Sequence, residues 1–197
     1  MRFVALSVHF FTAFSLAGTI FASQCSITTK RGLIWTNVSV GAQKTPLQFA
    51  VDTGAEETVL DLKAAKKLNL ALGRKETVQG VGGLSHAYRS AKTSVHSAGV
   101  TIRKSFLTLD LAPASRKAGR RLDGLLGADF FHGRTVQIDY RTNQLRVLTG
   151  YSPGSSAEIL PIRRNYGAMC VPVQVGAVHL GRVLEPRNYL IQSRMHA

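Results

Sequence analysis

The chain has 197 residues, 45% apolar and 18% charged, with 25 Lys and Arg against 11 Asp and Glu for a formal net charge of +14. This balance excludes a disordered polyelectrolyte, and the length suits one ordinary domain with a real core. The cations are scattered: the densest cluster, SRKAGRR at 115–121, reads as a solvated loop among Gly, Ala and Ser, and no RNA- or DNA-binding signature accompanies it, so nucleic acid is not expected as a partner.

The first segment, MRFVALSVHFFTAFSLAGTIFASQCS, has one early Arg, a long apolar run and then small residues around Ala22 and Ser23. It reads as a signal peptide over 1–22, with an exported (periplasmic or secreted) chain beginning near Ser23. Left uncleaved, the same run would be a membrane anchor, although Ser7, His9, Thr12, Ser15 and Thr19 weaken it, and membrane contact is expected only in that case. The two cysteines, Cys25 and Cys170, form no CxxC pair, so a thiol-based zinc or redox site is not expected. A disulfide between them and two separate thiols both remain open. The histidines show no HxH or HExxH pattern; neither metal nor cofactor is expected, and His86 and His96 read as strand-surface residues.

Period-two alternation then dominates. LIWTNVSVG (33–41) predicts a strand, AQKT a turn, and PLQFAVD (46–52) the returning partner. TVLDLKAAKKLNLAL shifts to helical spacing, with Asp61 as N-cap and Leu62, Ala65 and Leu68 or Leu70 on one face. KETVQGVGGLSHAYRS (75–90) predicts two strands around a glycine-rich tip, and 91–111 two more. After the basic loop come LDGLLGADFFHG (122–133) and a hairpin over 135–148 that turns at Arg141 to Asn143. The expected domain, 23–150, is therefore all-β with one or two short helices. A linker, YSPGSSAE (151–158), precedes a shorter segment with an internal echo: GLIWTNVSVGA (32–42) aligns without gaps on GAMCVPVQVGA (167–177). The 151–197 segment is thus read as linker, incomplete second repeat and divergent tail, because LEPRNY (184–189) stands where FAVDTG would recur. Two unrelated Val-rich strands ending in Gly would look the same.

FAVDTGAEETVL (49–60) carries the chemistry. Asp-Thr-Gly alone fits an Asx-type turn at a strand end. The apolar run LQFAV, however, drives Asp52 toward the core, and a carboxylate delivered there needs partners or a task. DTGAEETVL (52–60) closely resembles the active-site loop of retropepsin-like aspartic proteases, the retroviral type. VQGVGGLS (78–85) resembles the tip of their flap, and LDGLLGADFF (122–131) the apolar-apolar-Gly segment and short helix that close the ψ-shaped loop. The three stand in the family's order over roughly residues 33 to 150.

The resemblance implies a closed, β-barrel-like lobe with a ψ-loop and a flap hairpin. It implies an aspartic endopeptidase in which Asp52 activates water. Thr53 would bond across a pair of such loops, Gly54 would let substrate backbone approach, and Ala55 and Glu56 would contact the peptide. Gly80, Val81, Gly82 and Gly83 would form the flap tip. Glu57 faces either substrate or solvent on this reading. Asp123 and Asp129 lack a Thr/Ser-Gly context and are not expected as the second catalytic acid; Asp139 reads as an exposed strand residue. With one intact motif, the resemblance implies a homodimer acting on a peptide or protein substrate, each chain giving one Asp52. The alternative is a truncated, inactive lobe of a two-repeat protease that at most binds peptides.

Overall fold

The computed structural model describes residues 21–80, 83–149, 160–165, 168–175, 178–183 and 190–192. The signal segment up to residue 20, the flap residues Val81 and Gly82, the linker 151–158 and the segment 184–189 lie outside the described residues.

The first strand, β1 (Phe21–Lys30), is not marked by alternation because it emerges from the apolar N-terminal run; it pairs with β2 (Leu33–Val40). β2 and β3 (Leu47–Val51) form the expected antiparallel pair, with Ile34, Trp35, Val38, Val40, Phe49 and Val51 buried. β4 (Val59–Asp61) leads into α1 (Leu62–Lys67). Asp61 caps α1 as expected: one carboxylate oxygen accepts the Lys63 and Ala64 amides. The buried face of α1 is Ala64 and Ala65, with Leu68 and Leu70 packed behind them; Leu62 is only half-buried.

β5 (Leu72–Gly80) and β6 (Gly83–Ser90) form the hairpin read as the flap. Segment 91–111 holds three strands rather than two: β7 (Thr93–Ser97), β8 (Val100–Lys104) and β9 (Leu107–Leu109). Ala98 and Gly99, both at positive φ, break the first expected strand into a tight hairpin. The SRKAGRR cluster is not a loop. It belongs largely to α2 (Ala112–Ala118), with Pro113 in its first turn, Arg116 and Lys117 in its last turn, and Gly119 in the left-handed conformation as its stop. Cations there favour the negative end of the helix, so the basic run supports the helix. β10 (Gly124–Leu126), α3 (Ala128–Phe131), β11 (Thr135–Asp139) and β12 (Gln144–Leu148) complete this part, so three helices are described where one or two were expected. Beyond it, β13 (Arg163–Asn165), β14 (Ala168–Val175) and β15 (Val178–Val183) make a separate three-stranded sheet, and β16 (Leu190–Gln192) joins the edge of β11. Both echo strands, β2 and β14, run into an antiparallel successor.

The main sheet runs β16-β11-β12-β1-β2-β3-β10-β4-β9-β6-β5, with β7 and β8 branching from β2. This order has two ends, so the expected closed, barrel-like sheet is instead open. Its centre is a ψ-shaped arrangement: β3 and β4 are joined by loop 52–58, and β10 lies between them, parallel to β3 and antiparallel to β4. The main core gathers Phe49, Leu60, Phe106, Leu126, Phe130 and Phe131; a smaller core surrounds Trp35. Cys25 is a free thiol within reach of the Thr36 hydroxyl (3.2 Å), and no disulfide joins it to Cys170. Among the described residues no helix is long and apolar enough to cross a membrane.

Candidate active site

The site is built where β3 ends. Phe49, Ala50 and Val51 are buried, so the strand is anchored, and the next residue, Asp52, emerges half-buried. Its amide donates to the Leu126 carbonyl (2.9 Å), tying it to the end of β10. Its carboxylate accepts the Gly54 amide (3.0 Å), and its carbonyl accepts the Ala55 amide (3.2 Å), so the turn is locally closed. Thr53 is buried, Gly54 and Glu56 are exposed, and Ala55 is half-buried, its carbonyl accepting the Ala128 amide (2.8 Å).

The far end of the loop is held more tightly still. The amide and hydroxyl of buried Thr58 both donate to one oxygen of Asp129 (2.8 and 2.7 Å), while the same hydroxyl accepts the Gly127 amide (3.2 Å). Gly127 is required for this approach: a Cβ there would overlap the carbonyl group of Glu57. Gly124 is likewise pressed against the Phe49 ring and the Val59 carbonyl. The LDGLLGADFF segment therefore clamps the loop through two glycines and one acid.

Glu57 is half-buried and ion-paired. It sits inside an alternating chain of charges: Glu76–Arg89–Glu57–Lys104–Asp129, with successive contacts of 2.9, 2.8, 3.1 and 2.7 Å. This chain joins both strands of the flap hairpin, the active-site loop, the end of β8 and α3. Burial alone would raise the Glu57 pKa, but hydrogen bonds and charge from Arg89 and Lys104 outweigh it and hold the carboxyl below its ordinary value. Burial would likewise lower the Lys104 pKa, and bonding to Asp129 and Glu57 raises it instead. The sequence held no signal for these ion pairs, because the partners lie 19 to 72 positions from Glu57 in linear order, on elements whose adjacency local patterns do not reveal.

Beside Asp52 opens a cleft of about 650 Å³. Its walls come from the strand ends (Ile34, Ala50 and Val51), from loop residues Thr53 and Gly54, and from α2 with Leu122 and Leu125. The lining is mostly apolar, with Asp52 as its one carboxylate and Arg31 and Lys117 as its cations. Ala55 and Glu56 are not among its lining residues. Of the flap tip, Gly80 and Gly83 are described; they pair with each other, and Gly83 has φ +104°, a conformation side chains resist.

The other acids of this region are bound within the fold. Buried Asp123 accepts the Gln48 amide (3.0 Å) and both prongs of Arg121 (2.7 and 3.0 Å). Asp139, expected to be exposed, is half-buried and paired with Arg146 at 3.0 Å. Bonding to Thr142 in the first place, aided by Arg146 and the Arg141 amide, lowers its pKa to about 2. His86 and His96 lie exposed on their strands.

Residues 36–130, the span that holds the loop, the flap and the clamp, match a family model described as aspartyl protease. Over this span, just under half of the chain, the protein is similar to aspartyl proteases, and its fold is mostly β and consistent with a retropepsin-like lobe whose sheet is open rather than closed. No curated protein matches the chain. Among solved structures, the EIAV protease complexed with the inhibitor HBY-793 is similar, at 26% identity over 49% of this chain and 83% of that one, with a TM-score of 0.37.

Proposed function

We propose that the protein is an exported aspartic endopeptidase, active as a homodimer in which two copies of Asp52 hold one water. The observation that carries this is the delivery of Asp52, by an anchored strand and a ψ-loop, into the lining of a mostly apolar cleft. Two carboxyl groups about 3 Å apart cannot both ionise; they share a proton. The ionised one takes a proton from water, the protonated one gives its proton to the scissile peptide, and the water oxygen attacks the carbonyl carbon. Such proton transfers typically contribute about 10²–10⁴-fold. Thr53 would brace the two loops, Gly54, Ala55 and Glu56 would meet the substrate backbone, and the tip from Gly80 to Gly83 would close over the peptide. The intact clamp around Asp52 favours an active site over a vestigial lobe.

Activity should therefore require two chains. Specific activity should fall on dilution below the dimer dissociation constant. Excess Asp52→Asn chains should poison wild type, because mixed dimers hold one ionisable aspartate. A monomer in sedimentation that cleaves no peptide at any concentration would instead establish the inactive lobe. Export has a separate check. N-terminal sequencing of the exported protein should read Ser23 or a close neighbour; an intact Met1 on a membrane-bound product would mean an anchor.

A further inference from the structure

The chain's positive excess is not neutralised internally. Most of the described acids that could offset it are bound within the fold, Glu57 and Glu76 by Arg89, Asp123 by Arg121, Asp129 by Lys104 and Asp139 by Arg146, while Glu56 and Asp110 are exposed, the latter accepting the Ala112 amide at the start of α2. Some cations are occupied too, such as Arg120, whose guanidinium stacks over Trp35 at 5.0 Å and donates to the Thr28 hydroxyl and Gln48. Many exposed ones are not, and among these Lys63, Lys67 and Arg116 enter no ion pair among the described residues.

These three meet at one place. A second cleft, of about 300 Å³, is lined by Lys63 and Lys67 from α1, by Arg116 from α2, and by Arg121. Lys63 and Lys67 are four residues apart and so share one face of their helix. Asp61 and Asp123 also line this cleft, but both are buried and their oxygens are taken up by backbone amides and by Arg121. The partition between this cleft and the one beside Asp52 is α2 itself. Arg116 lines one side and Lys117 the other, as neighbours about 100° apart on a helix must. Leu122 lines both clefts. A peptide leaving the active-site cleft over α2 would pass Arg31 and Lys117 and arrive among Arg116, Lys63 and Lys67.

We infer that this second cleft is a docking site for an acidic segment of the protein substrate, flanking the cleaved bond on the α2 side. The inference rests on the protease reading for its setting, and on the charge and connection of the two clefts for its content. Exposed charge pairs are individually weak, but several acting together steer and retain an oppositely charged chain.

The test uses three peptides with one cleavable core: the core alone, the core extended by a run of Asp and Glu, and the core extended by the matching Asn and Gln. For the full chain at low salt, kcat/KM for the acidic extension should exceed that for the amide extension on the order of tenfold, which a few exposed pairs supply together. The gain should shrink as salt rises. The triple variant Lys63→Glu, Lys67→Glu, Arg116→Glu should lose it while cleaving the bare core as wild type does. Equal kcat/KM for the two extensions, or a gain that survives in the triple variant, would overturn the inference. Binding of the same fluorescent peptides to the Asp52→Asn chain gives a readout that needs no catalysis. Failure to cleave any peptide would count against the protease reading, whereas equal binding of acidic and amide extensions would count against the docking site. Equally tight binding of a DNA oligonucleotide that competes with the acidic peptide would mean general polyanion affinity and would also overturn it.

Discussion

The active-site loop, 52–58, and the flap hairpin, β5 with β6, were both read as parts of one catalytic apparatus, yet the fold treats them very differently. The loop is held by β10, by α3 and by Asp129, with Thr58 fully buried and Gly127 packed against its backbone. The described part of the hairpin is mostly exposed, and its strands bond chiefly to one another, with Ala87 to Arg89 pairing with β9 and Ser90 bonded to Phe106 just before it. A two-stranded ribbon is marginal without further packing, whereas a loop threaded through a ψ-arrangement is determined from several sides. On the proposed function, the difference teaches that the group that would react is held from several sides, while the segment that would cover it is held mainly by its own pairing. The ion pair of Glu57 with Arg89 joins the two regions near the hairpin's stem, far in sequence from its tip.

The sharpest way to test this contrast is to alter the loop's chemistry without its shape. Asp52→Asn should reduce hydrolysis to background while leaving the unfolding midpoint in urea within about 0.5 kcal/mol of wild type, since no buried partner is lost. Hydrolysis persisting in pure variant protein would remove Asp52 from the mechanism. Altering the loop's shape comes next. Gly127→Ala should destabilise the fold by about 1–3 kcal/mol, the usual cost of overpacking, and lower activity with it, because the new methyl meets backbone rather than a mobile side chain. A wild-type midpoint would show that the clamp yields easily. Asp129→Ala should cost about 1–3 kcal/mol by leaving the buried Thr58 donors without their acceptor and Lys104 with one partner fewer.

The flap should respond in the opposite sense. Gly83→Ala meets open space, so its cost is confined to the backbone conformation at φ +104°, about 1 kcal/mol or less, while turnover falls several-fold. If stability fell as it does for Gly127→Ala and turnover did not, the hairpin would be a structural ribbon rather than a moving cover.

The smallest expected effect is on pH dependence. The carboxyls of Glu57 and Asp139 have folded pKa values below their unfolded ones, Asp139 at about 2. A depressed carboxyl contributes stability above its unfolded pKa and loses it as pH falls through the folded value. The Asp139 contribution should therefore be complete above about pH 4 and disappear toward pH 2. Lys104 is raised, so its contribution is present below its unfolded pKa and is lost at the alkaline edge. Glu57→Gln should flatten the acid limb of the urea midpoint against pH; an unchanged limb would mean that Arg89 and Lys104 hold Glu57 no more firmly than solvent does.

The sequence by itself determined the local elements whose signals are local. Alternation in LIWTNVSV and LQFAV specified β2 and β3, Asp61 three residues ahead of Ala64 specified the cap of α1, and Asn143 marked the hairpin turn that it occupies at φ +53°. The ordered motifs around Asp52, Gly82 and Gly127 carried the family reading because their residue types answer to backbone geometry and chemistry. SRKAGRR reads as a loop on charge alone, yet Pro113, the basic last turn and Gly119 are helix signals, and the fold follows them. What tertiary structure alone decided is which distant groups meet. The pairing of Glu57 with Arg89 and Lys104, the capture of Thr58 by Asp129, and the place of α2 between two clefts all follow from β10 entering between β3 and β4 and β9 lying beside β4. A strand's pattern states which face it buries but not which strand lies next to it, so contacts across the sheet had to await the sheet order.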